Sequence, residues 1–388
     1  MRTYREVFAI GEFRTLFAGT TLSVAGGTMA TLGLSTLVYA DTGSPFLAAM
    51  AYLAGFLPQA FGSVVLGSLA DRLPPRAVLA GWCLVRAASL ALVASGALPI
   101  WGALAVVMAT GFFDAVSRAT GMALTADVLP GNGYVLGRSA LNLAVGGMQI
   151  AGFGGAGLLL ALVGPRAGLW AAAVLEVVLA VVFRAGLRRR APRSTARPSM
   201  AGVRELLADR RLRRLLLVQW VPNGLIVGAE ALYVPFAGEH AGVMFMAAAG
   251  GMLAGDLVIG RWTTPEQRVR LATPLYVLLG VPYLVFFLSP GPWLGAVLVA
   301  VASFGFAGHL GTQEWYVAAV PEAIRGQALG LAGSGMQSSQ ALAAALTGTV
   351  AEVLPVPPTM ALAAVASLAV TAALVPGLTR PSARPASR

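Results

Sequence analysis

Seven ionisable residues stand inside long apolar stretches of this sequence: Arg86, Asp114, Arg118, Glu176, Glu230, Asp256 and, at an edge, Glu314. A charge in apolar surroundings is costly to keep, so each is a candidate for function. The chemistry open to them is ion pairing, proton exchange and cation binding. Asp114 and Arg118 are four residues apart, so on a helix they share a face and can pair. Glu230 lies in VPNGLIVGAEALYVP, with no arginine within one helical turn. A desolvated carboxyl group without a local cation is suited to bind and release a proton. The plainer alternative is a glutamate hydrogen-bonded to a neighbouring helix.

Other chemistries are excluded. His240 and His309 are the only histidines and Cys83 the only cysteine, so metal clusters and intramolecular disulfides are ruled out. All 27 basic residues are arginine. With no lysine there is no Gly-Lys-Ser/Thr phosphate loop, which excludes ATP-driven pumping within this chain. The polar residues are scattered singly rather than grouped for catalysis, so the chain is not read as an enzyme, and no cofactor is implied.

The elements that must position these residues follow from composition. The chain has 388 residues, 57% hydrophobic and 11% charged. A soluble domain carries about 25% charged residues, so this surface is matched to lipid. A helix needs about 20 apolar residues to cross the hydrocarbon core. Twelve stretches qualify: 13–39, 46–70, 77–98, 100–123, 138–164, 167–187, 213–237, 241–263, 271–289, 292–313, 326–353 and 356–377. They are numbered span 1 to span 12. Prolines inside them, such as Pro58, Pro222, Pro235 and Pro282, are tolerated where neighbouring helices satisfy the freed backbone. The apolar runs are continuous rather than alternating, which excludes a β-barrel. The first 17 residues lack the apolar core and small-residue cleavage site of a signal peptide. The fold class is therefore all-α integral membrane.

Arginine placement orients the spans. With the N-terminus inside, 24 of the 27 arginines fall in inner segments, one (Arg166) in an outer loop and two (Arg86, Arg118) within spans. The expected location is the inner (plasma) membrane, multi-pass, with both termini cytoplasmic. The same asymmetry accounts for the net charge of +11. The Arg188–Arg214 loop reads as an orientation signal and a contact for anionic lipid, not a nucleic-acid site.

That loop divides the chain into residues 1–190, a linker at 191–212, and 213–388. The halves resemble each other. RSALNLAVGGMQ at 138–149 and GQALGLAGSGMQ at 326–337 match at a constant offset, down to Met148-Gln149 and Met336-Gln337. FRTLF at 13–17 is echoed by LRRLL at 212–216. A duplication of six helices fits parallel repeats about an axis along the membrane normal.

After span 2 the chain reads Gly67-Ser-Leu-Ala-Asp71-Arg72-Leu-Pro-Pro-Arg76. This resembles the inner-loop signature of the major facilitator superfamily. FRTLFAGTTLSVAGG, the TGSP turn at 42–45 and PEAIRGQALGL at 321–331 resemble its branch of drug, macrolide and siderophore exporters. There are departures. Pro74 and Pro75 replace the usual Gly and Arg, span 1 reads Gly26-Gly27-Thr28 where that branch often has an acid, and the glycine-rich span 5 lacks the antiporter proline.

The resemblance implies twelve helices as two pseudo-symmetric six-helix bundles, working as a monomer by alternating access. It implies a proton-coupled exporter of a small amphipathic or drug-like molecule. A non-transporting scaffold or receptor that keeps the fold is the alternative. Spans 1, 4, 7 and 10 would line the cavity, which favours Glu230, Asp114 and Arg118 as substrate or proton residues. Arg86 and Glu176, on peripheral spans, read as packing partners for each other or for neighbours. Asp71, with Gly67, Arg72 and Arg76, would latch onto the start of span 11 near Arg325-Gly326. There the free amides of a helix N-terminus favour a carboxylate. Asp256 and Arg261 occupy the corresponding region of the second half.

Overall fold

A computed structural model describes residues 3–66, 69–129, 132–192, 206–320 and 325–374. Gly67 and most of the 191–212 linker lie outside the described residues. A short helix, Tyr4–Ala9, precedes span 1, Gly11–Thr42. Span 2 comes in two pieces, Pro45–Leu53 and Phe56–Leu66. Spans 3 to 6 are Pro75–Ala94, Ile100–Val128, Asn132–Val163 and Pro165–Gly186. Span 7 is Arg210–Glu230 and span 8 Ala241–Trp262. Span 9, Pro265–Gly280, runs on as a 3-10 helix, Val281–Leu288. Span 10 is Pro292–Phe304 continued by Gly308–Ala319. Spans 11 and 12 are Arg325–Ala351 and Val356–Leu374.

Among the described residues, ten stretches are long and apolar enough to cross a membrane. One of them, Arg210–Trp262, turns back on itself after Glu230 and holds spans 7 and 8. Span 11 falls short because Ser334, Gln337, Ser338, Ser339 and Gln340 follow one another closely. The arrangement is consistent with twelve crossings.

Local chemistry sets the ends. Prolines occupy the first turn of spans 3, 6, 9 and 10 and of the first piece of span 2, where the missing N–H costs nothing. Thr264 and Gln267 form a capping box at the start of span 9. Gly43, at φ 66°, closes span 1 in the left-handed conformation that favours glycine.

The spans pack in a pattern used twice. Besides spans 1 and 2, which follow one another in the chain, the paired spans of the first bundle include 1 with 5, 1 with 6, 2 with 4, 3 with 4 and 3 with 6. In the second they are 7 with 11, 7 with 12, 8 with 10, 9 with 10 and 9 with 12. Adding six to each span number of the first set gives the second, which is the packing signature of a duplicated bundle. The bundles meet through two equivalent contacts, span 5 on span 8 and span 2 on span 11. Gly157 and Gly242 sit so close that a Cβ on either would strike the other's backbone.

Candidate functional site

The first bundle holds a closed charge cluster. Arg86 on span 3 lies 3.0 Å from Glu176 on span 6 and 3.6 Å from Asp114 on span 4. Trp82 Nε1 donates to Asp114 Oδ1 at 2.5 Å. The Glu176 side chain is fully buried. Its oxygens receive no well-aligned hydrogen bond among the described residues; the Arg86 charge and the Cys83 thiol are its polar neighbours. The expected Asp114–Arg118 pair does not form. Arg118 is exposed, and among the described residues no carboxylate lies within salt-bridge distance of it. Helical spacing put the two on one face, but Arg86 and Trp82 from span 3 take up the carboxylate first. Arg86 and Glu176 do pack as partners.

The second bundle holds a different kind of site. Span 7 buries Gln219, Asn223 and Glu230 along its length. Gln219 Nε2 donates to the Leu215 carbonyl, and Asn223 Nδ2 to the Met336 sulfur at 3.2 Å. Glu230, at the end of the helix, is 9% exposed. Among the described residues its carboxylate has neither an ion-pair nor a hydrogen-bond partner. It lies instead within electrostatic reach of Tyr52, Tyr233 and Tyr283. The Tyr233 and Tyr283 hydroxyls bond to each other at 2.5 Å. Phe245 joins the group, its ring 4.8 Å from Tyr52, 4.9 Å from Phe153 and 4.8 Å from Tyr233. Tyr52 and Phe153 belong to the first bundle, so the surroundings of Glu230 are built by both halves.

The bundles are joined over the end of the molecule opposite the arginine-rich loops. Glu352, just past span 11, accepts hydrogen bonds from Ser44 Oγ and, at 3.0 Å, from the Phe46 amide. It thereby caps the first turn of span 2 from the other bundle. Gln337 Nε2 donates to Gln59 Oε1 at 2.7 Å deeper in. Beyond that level, toward the arginine-rich end, no described hydrogen bond crosses between the bundles. There Phe61, Leu143, Leu257 and Leu329 on the four interface spans are exposed. Nothing in the sequence singled out Glu352 or Gln59, because each acquires its partner only through the fold.

The loop signature is less defined. The helical turn Leu69–Arg72 holds Asp71 and Arg72, and Arg72 is exposed. Arg76 is partly buried, and its Nε has no hydrogen-bond partner among the described residues. In the second half Asp256 faces His309 on span 10, Oδ1 to Nδ1 3.8 Å, a contact that becomes an ion pair only with a protonated ring. Arg261 is exposed. The arginine that organises this corner is Arg268. It bonds Glu314 at 2.7 Å and the Gly260 and Thr263 carbonyls at 2.8 and 3.2 Å, closing the end of span 8. Sequence reading passed over it because it falls between the predicted spans 241–263 and 271–289, among arginines read as an orientation signal.

The fold is shared with solved transporters. A variant of the nucleoside transporter NupG superposes with a TM-score of 0.76 at 15% identity, covering 95% of this chain and 100% of that one. A POT family transporter in complex with a thioalcohol-conjugated peptide gives 0.72 at 11%, covering 95% and 96%. A bacterial homologue of the human lysosomal transporter Spinster, inward-facing and occupied, gives 0.65 at 15%, covering 97% and 96%. A search of curated proteins finds no match. The family model for the Major Facilitator Superfamily matches residues 16–314, most of the chain and parts of both bundles. Together with the twofold packing of six-helix units, that match makes the chain a member of the Major Facilitator Superfamily, a transporter rather than an enzyme.

Proposed function

We propose that the chain is a secondary active transporter that exports a small amphipathic or drug-like molecule in exchange for protons, with Glu230 as the coupling carboxyl. The observation that supports this is the setting of Glu230: a buried carboxylate with no cation beside it among the described residues, within electrostatic reach of tyrosines from both bundles. When the bundles part at this end, Tyr52 and Phe153 leave and water enters. When they close, the water is expelled. The free energy of carrying a proton at Glu230 therefore depends on which way the transporter faces, which is the linkage that coupling requires.

In this reading the arrangement described is the state closed at the Glu230 end, the end opposite the arginine-rich, cytoplasmic side in our orientation. In the alternate state Asp71 latches the start of span 11. The protein acts as a monomer in the plasma membrane with both termini inside.

The test uses purified protein in liposomes. Glu230→Gln keeps shape but fixes the neutral form. It is expected to abolish gradient-driven transport and to keep substrate exchange at equilibrium. Driven transport with an unchanged pH dependence would show that Glu230 is not the coupling residue, leaving Asp114 as the next candidate. A well-expressed Asp71→Asn variant is expected to transport more weakly; normal transport removes the latch. Orientation is checked with Arg197→Cys on a Cys83→Ala background, which an impermeant reagent should leave unlabelled in intact cells.

A further inference from the structure

Spans 3 and 6 pack side by side, and at their arginine-rich ends they leave a groove of about 760 Å³ between them. Each helix offers one face to it. Span 3 contributes Ala77, Ala80, Gly81 and Leu84, and span 6 contributes Val177, Ala180 and Val181. On both the spacing is three, four and seven residues counting the arginine that ends the span 6 face, so each face is a straight stripe along the helix. The floor is apolar and made of small side chains. Gly81 is open, since a Cβ built there meets nothing within 4 Å.

The rim has the opposite character. Arg76, Arg184, Arg189 and Arg190 gather where the groove ends. Glu12 holds Arg190 through two bonds, at 2.7 and 2.8 Å, which raises the affinity of that guanidinium for its proton. Among the described residues the other three have no carboxylate within salt-bridge distance, and the Arg76 Nε is buried without any hydrogen-bond partner. Three guanidinium groups without an acidic partner among the described residues, above an apolar trough, ask for a ligand with an anionic head and a hydrocarbon tail. Basic pockets of this form between membrane helices bind anionic headgroups.

We infer that this groove is a binding site for one anionic phospholipid of the arginine-side leaflet, an acyl chain lying between spans 3 and 6 and the phosphate resting among Arg76, Arg184 and Arg189. The site stands apart from the Glu230 pocket and does not depend on the transport reading. Arg76 belongs to the loop signature that follows span 2, so the lipid also fixes one side chain of that loop.

The probe is phosphatidylglycerol against phosphatidylcholine of the same chains, added to the purified full-length protein in detergent. Retained lipid is counted by mass spectrometry of the intact protein. The parent should retain one phosphatidylglycerol in preference to phosphatidylcholine. Arg76→Gln with Arg189→Gln should weaken that retention by about fivefold for each arginine removed. Gly81→Phe projects into open space, leaves every charge in place and should displace the acyl chain. The control pair Arg210→Gln and Arg211→Gln, exposed at the start of span 7 and outside the groove, should behave as the parent. Equal retention of the two lipids overturns the inference, as does retention unchanged by both groove variants. Glycerol 3-phosphate protecting the protein from heat as well as phosphatidylglycerol does would reduce the groove to a simple anion site and likewise overturn it.

Discussion

The two bundles use buried carboxylates in opposite ways. In the first, Glu176 and Asp114 converge on a single guanidinium, and Trp82 supplies a further donor. In the second, Glu230 has aromatic neighbours and, among the described residues, no cation beside it. Desolvating a charge costs several kcal/mol, and a well-placed partner recovers much of it. The first arrangement ties spans 3, 4 and 6 into one body through a shared guanidinium. The second leaves a group whose charge state can follow its surroundings. Packing is nearly the same in the two halves, so division of labour between them comes from a few polar side chains on a repeated frame.

The contrast can be broken most strongly at Arg86. Arg86→Met strands Glu176 in an apolar interior and should cost about 3–5 kcal/mol, since removing one partner leaves an uncompensated buried charge. The readout is thermal unfolding of the purified protein. If the melting temperature is unchanged, the cluster is not what holds the first bundle.

A smaller effect is expected where the bundles touch. Glu352→Gln weakens the charge-assisted bonds to Ser44 and the Phe46 amide. The contact is exposed, so about 1 kcal/mol of closure should be lost. A cysteine at Ala49, which is buried beside span 11, should then be labelled a few-fold faster on a Cys83→Ala background. Equal labelling rates would mean that the apolar contacts alone keep this end shut.

Smaller still are the stability effects at the unpaired groups. Glu230→Gln breaks no ion pair among the described residues, so it should destabilise far less than Arg86→Met even as driven transport is lost. A large destabilisation would instead mark Glu230 as structural. Arg118→Gln should fall within about 0.5 kcal/mol of the parent, because Asp114 keeps Arg86 and Trp82. Destabilisation comparable with that of Arg86→Met would restore Arg118 as the partner of Asp114.

What the sequence determined by itself was one-dimensional. Hydrophobic runs long enough for lipid required membrane helices, the repeated RSALNLAVGGMQ and GQALGLAGSGMQ segments implied a duplicated unit, and the residues around Glu230 placed no cation within one helical turn of it. Each of these depends on properties within one span or on a count along the chain. The tertiary structure decided which spans face each other, and so every partner that comes from another helix. Periodicity puts Asp114 and Arg118 on one face, yet Arg86 lies between that face and Glu176. It places Tyr52 on span 2 without saying that Glu230 is near, and it gives Glu352 no partner until span 2 arrives from the other bundle. A helical repeat states the direction in which a side chain points. Only the packing of ridges and small residues, such as Gly157 against Gly242, sets what it meets there.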